Sequence, residues 1–182
     1  MKISYAIPVC NEYKEIEYLL NYLFRYKRKQ DEIVIQCDKG NTTTEVKNVL
    51  KNYQDLGVKI IDFPLNKNFA KFKNNLKSNC SGDYIFQIDA DEYPDEYLMQ
   101  TLEYLIKENP KTDIFWVPRS NTVSGLTNEH IQKWGWNVDN DGRVNFPDYQ
   151  CRIMKNVKRI KWKNKVHEVL VGHRSEPQLP SN

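Results

Sequence analysis

The chain lacks the features of a membrane-spanning or disulfide-linked protein. Its apolar runs are all shorter than the ~20 residues that cross a bilayer, and its first residues, MKISYAIPVCNE, become polar too early for a signal peptide. The four cysteines lie far apart without a CxxC pair, which fits neither a disulfide framework nor a zinc site. We therefore expect a soluble, cytoplasmic protein with reduced thiols.

Glycine-rich phosphate loops are also missing. The chain has seven glycines, and neither GxGxxG nor GxxxxGK[ST] occurs in it. This excludes the usual dinucleotide-binding fingerprint and the P-loop. A divalent metal ion held by carboxylates is then the obvious way to neutralise bound phosphates.

Neither sign of charge dominates. The 182 residues, a normal length for one domain, hold 27 basic and 24 acidic side chains. This balance gives no argument for a nucleic-acid partner. Basic residues cluster in Lys155–Lys165, where a solvated face is the first interpretation and a peripheral contact with phosphates or a membrane surface is the alternative.

Short apolar runs alternate with helical patterns through the first half of the chain. The runs are rich in β-branched or aromatic residues and predict four strands: Ile3–Val9, Glu32–Gln36, Val58–Phe63 and Tyr84–Ile88. Apolar residues with helical spacing lie between them, and Thr42 with Glu45 forms a predicted capping box. Such β–α alternation predicts an α/β fold with a mainly parallel sheet in three layers.

The second half has a less regular pattern. A helix from about Asp95 to Glu108 and a strand at Asp113–Pro118 are predicted, followed by a polar stretch typical of a functional loop. Tyr149–Met154 and Arg159–Trp162 predict a closing hairpin. We expect the tail RSEPQLPSN, residues 174–182, to be frayed.

Acidic residues follow three of the predicted strands. Glu12 follows the first, Asp38 follows the second, and the Asp89-Ala90-Asp91 segment follows the fourth. Ligands of open α/β sheets bind outside the carboxyl ends of the strands, so these side chains are expected at one ligand-binding edge. A DxD motif alone is common by chance, but three acidic strand ends together are more specific.

Five segments resemble a known family: IPVCNE, CDKGNTTTE, NFAKFKNNLKSNCSGDYIFQIDADE, FPDYQCRIMKN and WKNKVHEVL. In their order and spacing the chain resembles family 2 glycosyltransferases of the GT-A fold, in the branch related to lipopolysaccharide-core β-glycosyltransferases. It departs from the family pattern at Asn68, usually Gly, and at Lys73, usually Arg. The family often continues further after the last motif, so the chain resembles a minimal-length version.

The resemblance implies a Rossmann-like GT-A sandwich with a small C-terminal hairpin, in a single catalytic domain spanning 1–182. It implies a nucleotide-sugar-binding half at 1–92, an acceptor and flap half at 93–175, and a tail at 176–182. The implied activity is metal-dependent, inverting transfer from a nucleotide-diphosphate sugar, with UDP-glucose or a relative favoured. The acceptor would be a saccharide or a lipid-linked hydroxyl, and the product a β linkage.

The resemblance also implies site residues. Asp91 is the expected ligand of Mn²⁺ or Mg²⁺, and His167 would favour Mn²⁺. Asp148 is the expected catalytic base, with Glu129, Asp139 and Asp141 as competitors. The expected nucleotide contacts are Pro8, Asn11, Glu12, Asp38, Lys73, Asn74, Asp89 and Ala90. The expected acceptor or diphosphate contacts are Gln150, Arg152, Trp134 and Trp136.

Each assignment has a structural alternative. Asn11 and Glu12 could start a helix, Asp38 could serve a turn beside Gly40, and the tryptophans could be core residues. Lys73 could belong to a solvated face, Arg152 to a plain strand and His167 to a loop. Glu92 has no assigned role beyond the turn before the next helix. Two other functions stay open: a nucleotidyltransferase and a non-catalytic sugar-nucleotide-binding module.

Overall fold

A computed structural model describes residues 1–181 as a six-stranded sheet covered on both faces. The sheet order is β3-β2-β1-β4-β6-β5, and a separate two-stranded hairpin pairs β7 with β8. The strands are β1 (Ile3–Val9), β2 (Glu32–Asp38), β3 (Lys59–Phe63), β4 (Tyr84–Gln87), β5 (Ile114–Arg119), β6 (Asp148–Lys155), β7 (Lys161–Lys163) and β8 (Val169–Val171). The helices are α1 (Tyr13–Tyr26), α2 (Thr44–Gln54), α3 (Phe69–Ser78), α4 (Glu96–Glu108) and α5 (Asn128–Trp134). The α/β alternation up to α4 is thereby confirmed.

Side chains alternate between two apolar layers because successive strand residues point to opposite faces. Tyr5 of β1 packs in the cluster that includes the buried sides of α1, α2 and α4. The next residue, Ala6, packs in a second cluster with α3 and the β7–β8 hairpin. Strands β1 to β4 are parallel, as buried β-branched runs joined by helical crossovers predict.

Four helices, α2 to α5, start at a polar N-cap whose side chain accepts a backbone hydrogen bond. Asn68 caps α3, and Asp95 caps α4 by accepting a hydrogen bond from the backbone N–H of Leu98. The capping box predicted at Thr42 is wrong by one residue, because Thr43 is the N-cap of α2. The Thr42 hydroxyl instead donates to the carbonyl oxygen of Asp38, at 3.1 Å.

The predicted pairing of the closing hairpin is wrong. The segment predicted as its first strand belongs to β6, which lies in the main sheet and pairs antiparallel with both β4 and β5. Its residues Ile153 and Met154 are almost fully buried, as an inner strand requires. The hairpin itself consists of β7 and β8. Sequence proximity suggested the wrong partner because β6 pairs with strands that precede it by many residues.

The tail is not frayed as expected. The backbone N–H of Leu179 donates to Trp116 of β5 at 2.8 Å, and the Trp116 N–H donates to Pro177 at 3.0 Å. The polar stretch before β6 also has structure, since it contains α5 and an isolated bridge between Val138 and Val144. Within residues 1–181, no helix is both long and apolar enough to cross a membrane.

Candidate active site

The carboxyl edge of the parallel strands collects the acidic residues. Strands β1, β2 and β4 end beside one another, so Asp38, the last residue of β2, lies at the same edge as Glu12 and Asp89, which follow β1 and β4. Strand β6 is antiparallel to β4 and therefore begins where β4 ends, which brings Asp148 to the same edge. Asp148 lies opposite Arg119, the last residue of β5.

An alternating chain of charges connects the DxD segment to Asp148. Arg152 is 8% exposed and donates to Asp89 at 2.8 Å and to Glu92 at 2.5 Å. Glu92 also accepts from Arg119 at 3.1 Å, and Arg119 donates to Asp148 at 2.5 and 3.0 Å. Glu92 therefore joins the two arginines, which gives this unassigned residue a place in the site.

Asp148 is held as a carboxylate by three donors. Arg119, Asn121 at 3.0 Å and Gln150 at 2.8 Å all donate to it. Burial by itself would raise the pKa of Asp148, but the hydrogen bonds from Asn121, Arg119 and Gln150 outweigh burial and hold that pKa below its ordinary value. The side chain is thus oriented and deprotonated at neutral pH.

Asp91 differs from its neighbours in the DxD segment. It is exposed and, within residues 1–181, takes part in none of the ion pairs that engage Asp89 and Glu92. An exposed, uncommitted carboxylate is a suitable ligand for a hard cation. No three His, Cys, Asp or Glu side chains in the described part of the chain are grouped to hold a metal ion. A metal ion at Asp91 would therefore complete its coordination with substrate oxygens and water.

His167 and two expected nucleotide contacts lie at the β7–β8 hairpin. His167 is exposed in the turn that precedes β8, with a positive φ of 52°. Lys73 forms an ion pair with Glu168 and lies over the Trp162 ring, 4.5 Å from its centre. Asn74 both donates to and accepts from the Trp162 backbone, at 2.8 and 2.9 Å. Lys73 and Asn74 therefore attach α3 to the hairpin.

The acidic residues after β1 and β2 have local partners. Glu12 is the N-cap of α1, and its carboxylate accepts from the N–H groups of Cys10 and Asn11 at 2.9 and 3.0 Å. Asn11 is thus not the cap. Asp38 is 6% exposed, and its two oxygens accept from the Leu65 N–H at 2.8 Å and from Asn41 at 2.9 Å. Asp38 thus contacts Asn41 within its own turn and joins β2 to the loop after β3.

An open groove of about 1610 Å³ runs from the DxD segment along α4. Asp89, Asp91, Asp148 and Trp136 all line it. Trp134 packs against Trp136 with ring centres 4.7 Å apart and ring planes tilted by 44°, and it is 49% exposed, so it is a surface residue and not a core one. Pro8 and Ala90 lie at the ends of β1 and β4, where Ala90 is buried.

Sequence reasoning missed Arg119 and Asn121. Both follow from the antiparallel register of β5 and β6, which puts the end of β5 beside Asp148. The available signal was Arg119, a basic residue directly after a predicted strand. Identifying it as a partner of Asp148 requires knowing that β6 pairs with β5. Gln150 and Arg152, expected to contact acceptor or diphosphate, donate to Asp148 and Asp89 within the chain.

The basic run Lys155–Lys165 divides into two parts. Lys155 and Arg159 both form ion pairs with Asp113, with N···O distances of 3.8 and 2.8 Å. Their charges therefore have a partner within the fold. Four exposed lysines remain available to a partner: Lys158, Lys161, Lys163 and Lys165.

Removing the charge of residue 119 is expected to raise the pKa of Asp148. In Arg119→Gln, burial persists while a charged donor is lost, so the Asp148 carboxyl should titrate at higher pH than in the wild type. Because the folded pKa of Asp148 is depressed, its partners stabilise the fold above the unfolded pKa, and this contribution is lost as the pH falls through the folded pKa. Carboxyl ¹³C NMR titration measures the shift, and Arg119→Lys is the charge-retaining control. An unchanged titration in Arg119→Gln would contradict the assigned contact.

Comparison with protein families places this geometry in context. A family model described as glycosyl transferase family 2 matches residues 4–168. No curated protein matches the chain.

Solved structures share the fold at low sequence identity. S. aureus TarS matches with a TM-score of 0.61 and 19% identity, over 86% of this chain and 28% of that one. TarS 1-349 in complex with UDP-GlcNAc matches with a TM-score of 0.56 and 21% identity, over 70% and 36%. The mannosyltransferase PcManGT from Pyrobaculum calidifontis, in complex with GDP-Man and Mn²⁺, matches with 0.54 and 17%, over 65% and 35%. The chain thus spans roughly a third of the length of these proteins, and the likeness shows a GT-A fold.

Proposed function

Because this chain belongs to glycosyl transferase family 2, we propose that it is an inverting transferase that moves a sugar from a nucleotide diphosphate to an acceptor hydroxyl. UDP-glucose or a close relative is the proposed donor. A saccharide or lipid-linked molecule is the proposed acceptor, with a β linkage formed. The observation that carries the proposal is an oriented, deprotonated Asp148 in the same groove as the DxD segment.

Asp148 has the properties that a general base requires. An inverting transfer needs one carboxylate to remove the proton of the attacking hydroxyl. Arg119 and Gln150 orient the Asp148 carboxylate, and its low pKa keeps it unprotonated at neutral pH. The low pKa also makes it a weak base in the resting state. We infer that loss of one donor during acceptor binding raises its basicity.

Asp91 is the proposed protein ligand of a divalent metal ion, Mn²⁺ or Mg²⁺. Such an ion, when bound with a diphosphate, stabilises the negative charge that develops on the leaving group. Asp91 is exposed at the groove and has no competing ion pair among residues 1–181, which supports this role. His167 is kept as a proposed diphosphate contact because it lies exposed on the hairpin turn.

The nucleotide is proposed to bind at the ends of β1, β2 and β4. Pro8, Asn11, Glu12 and Ala90 lie there, beside Asp89, which is half-buried. A carboxylate such as that of Asp38 can accept a hydrogen bond from the N–H of a uracil ring, but both oxygens of Asp38 already have partners in the chain. We therefore propose that Asp38 shapes the base pocket. The fold neighbours include a complex with UDP-GlcNAc and one with GDP-Man, so the test of the proposed UDP-sugar donor includes GDP-sugars as the competing class.

The two rival functions predict different products. A nucleotidyltransferase would release pyrophosphate from a nucleoside triphosphate and a sugar phosphate. A binding module would bind the donor and release no nucleotide. The Asp148 hydrogen-bond system favours sugar transfer over both, because neither rival needs an oriented base in the groove.

A nucleotide-release assay over a panel of UDP- and GDP-sugars tests the proposed function. With Mn²⁺ present, one donor should release its nucleoside diphosphate above background, and EDTA should abolish the release. A heat-denatured sample supplies the background. Pyrophosphate release from UTP and a sugar phosphate would establish the first rival, and donor binding without release would establish the second.

A further inference from the structure

Helix α4 presents a row of exposed tyrosines to the groove. Tyr97 is 74% exposed, Tyr104 is 68% exposed, and Tyr93 just before the helix is 62% exposed. All three line the groove that also contains Asp148. Single exposed aromatic residues are ordinary, but three along one groove mark a binding surface.

The spacing of Tyr97 and Tyr104 gives the surface a direction. Seven residues are about two helical turns, so the two rings lie on one face of α4 and ~10 Å apart along its axis. Thr101 lies between them and also lines the groove. Val117 and Trp136 line the groove as well. The groove thus alternates aromatic and polar groups over a length greater than one sugar ring needs.

The lining offers no free positive charge. Among the described residues, the cations that line the groove are Arg119, Arg143 and Arg152, and each is paired with a carboxylate. The α4 wall contributes Glu108 and no Lys or Arg. An anionic ligand would leave its charges unmatched along this wall, whereas uncharged hydroxyl groups can pair with Thr101 and the tyrosine hydroxyls.

We propose that the α4 tyrosines form an extended subsite for an uncharged oligosaccharide acceptor. The proposal rests on the proposed function, because the groove is continuous with Asp148, where the acceptor hydroxyl must lie. Tyrosine suits the task because its ring packs against the apolar face of a sugar and its hydroxyl forms hydrogen bonds. The reacting sugar would lie at Asp148, and the following sugars along Tyr97 and Tyr104.

Binding to an array of neutral and anionic oligosaccharides of graded length tests the subsite. Wild-type protein should bind neutral oligosaccharides longer than a disaccharide, and Tyr97→Ala/Tyr104→Ala should bind them about 10-fold or more weakly, since two stacking contacts are lost. Tyr97→Phe/Tyr104→Phe keeps the rings and should retain most binding. Phe69→Ala is the control, because Phe69 is an aromatic residue at the start of α3 that is 41% exposed but does not line the groove.

Nucleotide release from the donor distinguishes a wrong subsite proposal from a wrong proposed function. Nucleotide release without acceptor should be the same in the wild type and in Tyr97→Ala/Tyr104→Ala. Wild-type protein that binds no oligosaccharide, or binds only anionic ones, would overturn the subsite, as would undiminished binding by the Ala variant. Absence of nucleotide release by the wild type would instead count against the proposed function.

Discussion

Replacing Asp148 by Asn is expected to slow sugar transfer by ~10²–10⁴-fold, the usual contribution of a general base. The amide keeps the size of the carboxylate and can still contact Asn121 and Gln150, so the fold should be retained. It cannot take a proton from the acceptor. Donor binding, which does not need the base, should be nearly unchanged, and slow donor hydrolysis can persist. Initial rates with saturating donor and acceptor measure the loss.

Asp139→Asn and Asp141→Asn are the controls for this prediction. Both residues were competitors for the role of base, but both form ion pairs with Arg143 in the flap. Their transfer rates should stay close to the wild-type rate. If transfer persisted in Asp148→Asn and was lost in Asp139→Asn, then Asp139 and not Asp148 would be the catalytic base.

Replacing Asp91 by Ala is expected to reduce nucleotide release by roughly 100-fold or more, since loss of a direct metal ligand should exceed the usual cost of altering an outer-shell partner. The variant should remain folded, because the side chain is exposed and has no ion pair within residues 1–181. Raising the Mn²⁺ concentration should restore part of the activity, which separates a ligand role from a structural one. Release rates across a Mn²⁺ titration measure this.

Asp55→Ala is the matched control for Asp91→Ala. Asp55 is equally exposed but follows the end of α2, at the edge of the sheet opposite the groove. Its release rate and Mn²⁺ dependence should equal those of the wild type. Wild-type behaviour in Asp91→Ala would remove Asp91 from the site.

The parallel half of the fold could be predicted from sequence because its signals are local. Strands β1 to β4 are short apolar runs, and the helices between them have buried residues at helical spacing, as in Ile16, Leu19 and Leu20 of α1. The rule that ligands bind at the carboxyl ends of parallel strands then places Glu12, Asp38 and the DxD segment at one edge without knowledge of any contact. The structure confirms this fold class.

The antiparallel half could not be predicted in the same way, because its pairings join residues distant in sequence. Strand β6 pairs with β4 and β5. The residue pattern within Asp148–Lys155 predicts a strand, but it does not predict which strands pair with it. The interactions of Arg119 with Glu92 and Asp148 depend on that register and were missed with it. The ordered tail was missed for a related reason. The backbone N–H of Leu179 donates to the carbonyl oxygen of Trp116, which is distant in sequence.

Individual side-chain roles were the least predictable part of the candidate site. Asn74 and Lys73 occupy family motif positions, yet their contacts are with Trp162 and Glu168 of the hairpin. Residue type and motif position indicate which interactions a side chain can make. Which residue it contacts depends on how elements that are distant in sequence pack together.

Calorimetric titration of UDP and GDP into the wild-type protein, with Mn²⁺ and then with EDTA, tests the central claim most directly. If the carboxyl edge of the sheet is a metal-dependent donor site, one nucleotide binds saturably with Mn²⁺ present, and EDTA or Asp91→Ala removes that binding. If neither nucleotide binds in the presence of Mn²⁺, or if binding is the same with EDTA, the proposed donor site is wrong.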